Sequence, residues 1–413
     1  MKISIKKTFH YLLIYFMICL NDSFVYYQII SKYQIIFIAI SVFLMVYYKR
    51  IRKNWTFIAS IVLLLFVIFV RLNSGGIGLN IYFTWILHIF FATAAVLYDC
   101  ENFLHRYVKL VTFLASISLI YFIISVINLN FARSLTFITL PYGAGYNHTT
   151  IDGLFVYCFN PWHYDRNTSI FGEPGLYQIV LNSALFCMLY LREKCNLKYK
   201  TMIRYMIILL LAIVTAGSAT GFIGTLLIFA GFIFERGRKE ERTIKRRLIL
   251  LFFLAIVFLI LEYEYNGNES ILSRLFFEKL FSDTGNISVM NGTGKYRWGT
   301  IALSFQSIMQ NPLGVGYDAV TKLLSTEDGL VAAKILTSAA ALGLPWLIFT
   351  VYWLFAPILK ANWSGIAKIV FILLYINTAL AQSQEFYTGF VCIIIVALTS
   401  KVEGENENIM VYE

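Results

Sequence analysis

The chain has 413 residues, of which 59% are hydrophobic and 14% charged, with a mean hydropathy of +0.71 and a net charge of +11. A soluble domain carries about 25% charged and about 45–50% apolar residues, so the composition excludes an ordinary water-soluble enzyme and points to a polytopic membrane protein. The positive charge lies in short segments between apolar runs, which is the pattern of membrane orientation. No nucleic-acid partner is expected from it.

The chain begins with Lys2, Lys6 and Lys7 ahead of an apolar run. This resembles a signal peptide, but no small-residue cleavage site follows, so the segment is expected to remain as the first helix. A spanning helix needs about 20 mostly apolar residues. Twelve runs approach that length: 9–29, 33–48, 55–71, 81–98, 107–129, 174–191, 202–217, 219–235, 247–263, 332–358, 365–381 and 385–399. Only Gly217-Ser218-Ala219-Thr220-Gly221 separates the seventh from the eighth, enough for a tight helical hairpin. The expected fold is thus a single all-α membrane domain over 1–413, with about twelve spans.

Lys/Arg asymmetry sets the orientation. Lys49, Arg50, Arg52 and Lys53, then Arg106, then Arg192, Lys194, Lys198, Lys200 and Arg204 all fall on the side of the N-terminus. The block from Arg236 to Arg247 adds to them. Both termini are therefore expected in the cytoplasm, and the acidic tail 403–413 is expected to be disordered. The 236–247 block reads first as a topology determinant, with anionic lipid as its other candidate partner.

Cysteine usage is uninformative. Cys19, Cys187 and Cys392 lie in apolar runs, Cys100 and Cys195 in expected cytoplasmic segments, and Cys158 alone in an external one. No external disulfide pair is available, and no CxxC or Cys/His ligand spacing appears.

Two external loops, 130–173 and 264–331, are much longer than usual connections, and such loops tend to be functional or disordered. Aromatic and apolar stretches at Phe131–Leu140 and Phe155–Trp162 argue against disorder. In the second loop, Ile271–Phe281 has the spacing of an interfacial helix, with Arg274 and Glu278 opposite its apolar residues. Tyr296–Met309 is also helical in spacing, and Asn311-Pro312 should end that helix.

The first loop ends in a run that gathers His163, Asp165, Arg166 and Glu173 before Pro174-Gly175 opens the sixth apolar segment. Proline suits the first helical position and a carboxylate gains from the helix dipole, so Glu173 can be read as a simple cap and Arg166 as a snorkelling headgroup contact. The sharper reading makes Arg166 a fork-like phosphate ligand and Glu173 a general base. In the second loop, Gly292-Thr293-Gly294-Lys295-Tyr296-Arg297-Trp298 is followed by Asn311-Pro312-Leu313-Gly314-Val315-Gly316-Tyr317. This is not a P-loop, because it lacks the GxxxxGK[ST] frame and its preceding strand. The small residues at 217–221 read mainly as a close helix contact.

Together these residues resemble a family. Arg166 through Gly175 looks like the R-x-x-S-x-F-x-E-P-G signature of bacterial polysaccharide polymerases, and Ser218-Ala219-Thr220-Gly221 resembles their S-T-T-G hairpin. Arg297-Trp298 and Asn311-Pro312-Leu313-Gly314-Val315-Gly316 are similar to the R-x-x-W…N-P-l-G-x-G pattern of the O-antigen ligase and polymerase superfamily. The resemblance implies a GT-C-like glycosyltransferase of the bacterial inner membrane with its active site on the periplasmic face. It would join undecaprenyl-diphosphate-linked oligosaccharide repeat units into O-antigen or a related surface polysaccharide, as in lipopolysaccharide biosynthesis. Membrane lipid and a chain-length regulator protein are the implied partners, and neither cofactor nor metal is implied. Arg166 and Arg297 would hold the diphosphate and Glu173 would act beside them, with His163, Asp165, Lys295, Asn311, Gly314 and Gly316 contributing to substrate binding. Lipid A-core ligases carry His-Asn after the G-x-G segment. Here Ser325-Thr326-Glu327-Asp328-Gly329 stands there, which leaves Glu173, Glu327 and Asp328 as candidate bases and argues against a ligase.

The chemistry agrees with that expectation. A glycosyl diphosphate already has a good leaving group, so the protein must supply charge neutralisation and positioning. Arginine suits diphosphate because its fork donates parallel hydrogen bonds and keeps its proton. An apolar, small-residue groove near Gly221–Gly231 is expected to take the polyprenyl tail. The alternatives are a lipid-linked oligosaccharide flippase, which should place ionisable residues near the bilayer midplane, and a ligase of the same superfamily.

Overall fold

The computed structural model describes residues 4–48, 55–74, 79–141, 150–159, 163, 165–235, 257, 261, 263–267, 292–326 and 333–410. Among the described residues, five helices are long and apolar enough to cross a membrane, within Ile30–Tyr47, Trp55–Leu72, Asn80–Tyr98, Cys100–Ile127 and Tyr199–Ala216. Shorter apolar helices cover Pro174–Tyr190, Ala219–Phe234, Leu344–Lys360, Gly365–Ala381 and Thr388–Thr399. The all-helical membrane class stands on these. Run 247–263 and the Ile271–Phe281 helix lie outside the described residues, apart from isolated positions in the former.

The N-terminal half contains α1 (Ile5–Cys19), α2 (Phe24–Gln28), α3 (Gln34–Tyr48), α4 (Trp55–Ser74), α5 (Leu79–Tyr98), α6 (Cys100–Ile127) and α7 (Leu129–Ser134). Next come α8 (Pro174–Tyr190), α9 (Arg192–Cys195), α10 (Tyr199–Ala216) and α11 (Ala219–Phe234). After residue 291 follow α12 (Gly292–Gln310), α13 (Tyr317–Thr326), α14 (Lys334–Leu342), α15 (Leu344–Lys360), α16 (Gly365–Ala381) and α17 (Thr388–Met410).

Helix α8 is buried on every side from Pro174 to Leu189, and α17 is buried from Thr388 to Ala397. A helix apolar all round belongs inside a bundle, and α5 joins these two at the centre through its packing on α17. The outer helices behave differently. Ile58, Ile61, Leu65, Phe69 and Leu72 on α4, and Ile120, Ile123 and Ile127 on α6, leave apolar rows exposed. Such rows suit contact with lipid.

Three sequence expectations are corrected. The run 9–29 is not one span: α1 stops at Cys19, Asp22 turns through a left-handed φ of 51°, and the Ser23 side chain accepts from Tyr26 N to start α2. Asn21-Asp22-Ser23 are turn and capping residues, and Asn21 ties the break to Thr388 across 2.8 Å. The run 332–358 is also broken, at Gly343 with φ 93° between α14 and α15. Third, short interfacial helices are the expectation for both long loops, and the first of them instead carries a sheet beside the short helix α7. Strands β1 (Ile138–Pro141), β2 (Thr150–Gly153) and β3 (Cys158–Phe159) make an antiparallel meander, pairing Ile138 with Gly153 and Gly153 with Cys158. Arg133 donates twice to Asp152 and pins the sheet to α7. In the acidic tail, helix α17 continues to Met410, as no proline interrupts it.

The tight hairpin is present as expected, since Gly217 takes φ 58° between α10 and α11. Helix α12 also ends where Asn311-Pro312 predicts. At one end of the bundle, His105 bonds the Cys195 carbonyl and the Cys100 thiol donates to Thr399. At the other end, Asn21 meets Thr388, and residues 166–173 cover the mouths of α6, α8 and α10.

Candidate functional site

The motif from Arg166 to Glu173 has a structural middle and two ionisable ends. Asn167 sends its amide to Ser118 Oγ on α6 at 3.0 Å and to Thr215 Oγ1 on α10 at 3.1 Å, while its backbone N–H bonds the Thr215 carbonyl. Its Oδ1 accepts from Ser169 N, which lets Ser169 hold a left-handed φ of 52°. Ile170 and Phe171 are buried, Phe171 stacks on Tyr177, and Ile170 O accepts from Phe24 N. Residues 167–171 therefore plug the loop into the bundle and leave Arg166 and Glu173 on either side. Arg166 lies with its side chain over Gly217, 3.8 Å from where a Cβ would sit, and 4.0 Å from exposed Asp165. His163 accepts from Arg166 N through its backbone carbonyl.

Glu173 occupies the N-cap of α8, with Pro174 next, yet its carboxylate makes no capping bond. The cap position expected for Glu173 is therefore occupied, with the backbone carbonyl accepting from Leu176 N and Tyr177 N. Burial pushes the Glu173 carboxyl above the usual carboxylate range, and the Arg297 guanidinium opposes that rise. Burial likewise pulls Arg297 down, with Glu173 holding it up. The last residue of the first loop and a residue in the second loop's helix α12 thus share one electrostatic environment.

The second-loop glycines have a conformational reason. Gly314 and Gly316 have φ of 90° and 85°. Val315 N and Gly316 N donate to the carbonyls of Ala340 and Ala341 at the end of α14, and Leu344 N donates back to Pro312 O. A Cβ on Gly314 would stand 2.4 Å from Ala341 O. These residues lock α12 onto α14, while Asn311 is exposed. The Lys295 side chain, Glu327 and Asp328 lie outside what the structure describes.

The Gly221–Gly231 stripe is not an open groove, contrary to expectation. A Cβ at Gly221 would meet Gln178 at 2.8 Å, at Gly224 Asn182 at 2.8 Å, and at Gly231 Val370 at 2.2 Å. Helices α8 and α16 fill the space the small residues leave, so the stripe serves helix packing.

Sequence reasoning missed a polar cluster beside Glu173. The α16–α17 turn, Gln382-Ser383-Gln384-Glu385, folds over the start of α8. The Gln382 amide would be 2.2 Å from a Cβ on Gly175, so only glycine fits under it. Asp22 accepts from the Gln384 and Tyr27 side chains and faces both Glu173 and Glu385; burial is the main cause that raises its carboxyl to about 6. Glu385 accepts from Ser338 Oγ at 2.6 Å, and Ser338 pairs with the Tyr317 hydroxyl. Lys334 lies 5.0 Å over the Tyr317 ring. The available signal was the polar run Gln382-Ser383-Gln384 between two apolar segments, with Glu385 opening the second of them.

Among the described residues no group of three or more His, Cys, Asp or Glu could hold a metal ion, and all six cysteines are free. Compared with protein-family models, with curated proteins and with solved structures, the chain has no match. What the arrangement can do rests on its own chemistry: a half-buried carboxyl whose proton affinity a guanidinium of the other loop lowers, a second arginine beyond the buried plug, and an acceptor-rich rim.

Proposed function

We propose that this chain is a membrane glycosyltransferase that polymerises oligosaccharide units carried on a polyprenyl diphosphate, of the O-antigen polymerase type, working on the periplasmic face of a bacterial inner membrane. The observation that carries the reading is the shared environment of Glu173 and Arg297, one from each long loop. In the reaction, an acceptor sugar hydroxyl attacks the anomeric carbon of the donor. The new C–O bond forms as the bond to the diphosphate breaks, the hydroxyl proton passes to a base, and the diphosphate leaves on its lipid.

Glu173 suits the base, because burial raises its proton affinity toward the working pH. Arg166 and Arg297 suit the leaving diphosphate, whose charge they neutralise without losing a proton. A further consequence follows from the pairing. When diphosphate draws the guanidinium of Arg297, Glu173 loses the charge that holds its carboxyl down and becomes a stronger base. Donor binding would thereby arm the acceptor step.

The test is complementation of a polymerase-deficient host, read as surface polysaccharide on a gel. Arg166→Ala, Glu173→Ala and Arg297→Ala should each leave a single-repeat band without a ladder while the protein still inserts. Normal ladders from all three would remove the assignment. Loss of the repeat unit itself from the surface would instead indicate a flippase.

A further inference from the structure

The rim beside Glu173 holds two buried side-chain amides with one unanswered atom each. Gln384 is 6% exposed and its Oε1 has no hydrogen-bond partner. Its orientation is set by Asp22, whose carboxylate accepts from it and so requires the amide N–H on that side. Gln178 is 1% exposed and its Nε2 has no partner. It too is fixed. Its Oε1 accepts from Asn182 Nδ2 at 2.8 Å, Asn182 Nδ2 also donates to Gly221 O at 3.0 Å, and Asn182 Oδ1 accepts from Thr225 at 2.9 Å. Flipping either glutamine would break a bond the network needs.

One orphan therefore accepts and the other donates. Both sit on segments that adjoin Glu173: Gln178 lies about one turn into α8, the helix Glu173 caps, with its side chain against Gly221 of α11, and Gln384 follows Gln382, whose amide lies against Gly175 of α8. A metal cation would answer only the Gln384 oxygen, and an anion without a proton, such as chloride, only the Gln178 nitrogen. A hydroxyl group both donates and accepts, so a polyhydroxylated ligand answers both. Asp22 and Glu385 add acceptors for further hydroxyls.

We propose that Gln178 and Gln384, with Asp22 and Glu385, form a carbohydrate subsite that orients sugar hydroxyls beside Glu173. Its place in the reaction, as the seat of the attacking sugar, rests on the polymerase reading above; its ligand chemistry does not. Buried polar groups left unpaired are costly, and their satisfaction by ligand is where discrimination against sugars lacking the matching hydroxyl would arise.

Tryptophans next to the rim report on occupancy: the Trp85 and Trp353 rings lie 6.0 Å and 5.8 Å from Phe386, the neighbour of Glu385. The full chain in detergent micelles is titrated with D-glucose, D-galactose and N-acetylglucosamine, and separately with NaCl, CaCl2 and inorganic phosphate, while tryptophan fluorescence is followed. At least one sugar is expected to give a saturable change, and Gln178→Leu and Gln384→Leu should each weaken it roughly tenfold. Gln384→Met, of the same length, replaces Gln384→Leu if that variant does not fold. No response to any sugar, a response to the salts alone, or unchanged sugar affinity in the folded variants would each overturn the subsite. Sugar binding combined with normal ladders from the Arg166, Glu173 and Arg297 variants would instead sink the polymerase reading and leave the subsite standing.

Discussion

Neutralising Arg297 gives the sharpest test of whether the two long loops meet. Glu173 is a half-buried carboxyl whose charge Arg297 offsets. Removing one partner of a fully buried pair costs about 3–5 kcal/mol, because the survivor is left charged without compensation. Both groups here keep some solvent access, so Arg297→Gln should cost about 1–2 kcal/mol. Glu173→Gln removes the stranded charge as well, and the double variant should recover about 1 kcal/mol over the sum of the single changes. The sign with pH follows from the carboxyl. Its proton affinity is raised in the folded state, so the fold is favoured while the group is protonated and loses ground as pH rises through its folded-state value. Arg297→Gln raises that value further, so its deficit should grow as pH rises above the ordinary carboxylate range. Thermal unfolding in micelles, followed through the seven tryptophans, reads this directly. Additive effects of the two substitutions, with no pH dependence in Arg297→Gln, would refute the pairing.

Two other outcomes follow from the same site. Gly314→Ala should destabilise by about 2–5 kcal/mol: about 1–2 kcal/mol for an alanine at positive φ, and the rest from the backbone bonds of Val315 and Gly316 that its Cβ would displace. Urea or thermal unfolding checks it, and a loss under 1 kcal/mol would mean the loop has another way to seat. Asp22→Asn should gain apparent stability relative to wild type as pH rises from 5 to 8. The native carboxyl, raised to about 6 by burial and facing Glu173 and Glu385, is penalised once ionised, whereas asparagine still accepts from Gln384.

How much of this was readable beforehand depends on the range of the interactions. Local signals served well. Gly217 ended α10 in a left-handed turn, Pro312 closed α12, and Pro174 opened α8, because each acts through its own backbone. The breaks at Asn21-Asp22-Ser23 and Gly343 were hidden by hydropathy, since a few polar or flexible residues barely change an average over a long window. The three-stranded sheet in the first loop was lost for another reason: β3 has two residues, too few to alternate. The electrostatic coupling of Glu173 with Arg297 was legible only as two motifs in separate loops. The Gln382–Glu385 rim was legible as polarity alone, its meaning arising where it folds onto Gly175 and Asp22. The groove at Gly221–Gly231 was misread because small residues look alike whether they leave space or admit a neighbour.

That last point bears on the choice between an enzyme and a transporter. Alternating access requires packed helices to move against one another around the site. Beneath Glu173, α8, α11 and α16 are interlocked. Asn182 bonds the Gly221 carbonyl, Asn377 bonds the Thr220 carbonyl, Tyr190 bonds the Ile228 carbonyl, and a Cβ at Gly224 would come within 2.9 Å of Leu374. Chemistry that depends on preorganised charge gains from a floor of this kind, whereas rocking would have to break it. The two readings therefore part on a cross-link. A cysteine pair placed on the exposed edges of α11 and α16, away from the close-packed glycines, and closed by a short bifunctional reagent, should leave the polymer ladder intact if the site works as a fixed active centre. If the ladder disappears on closure and returns when a cleavable linker is cut, motion between α11 and α16 is part of the cycle, and transport becomes the better account.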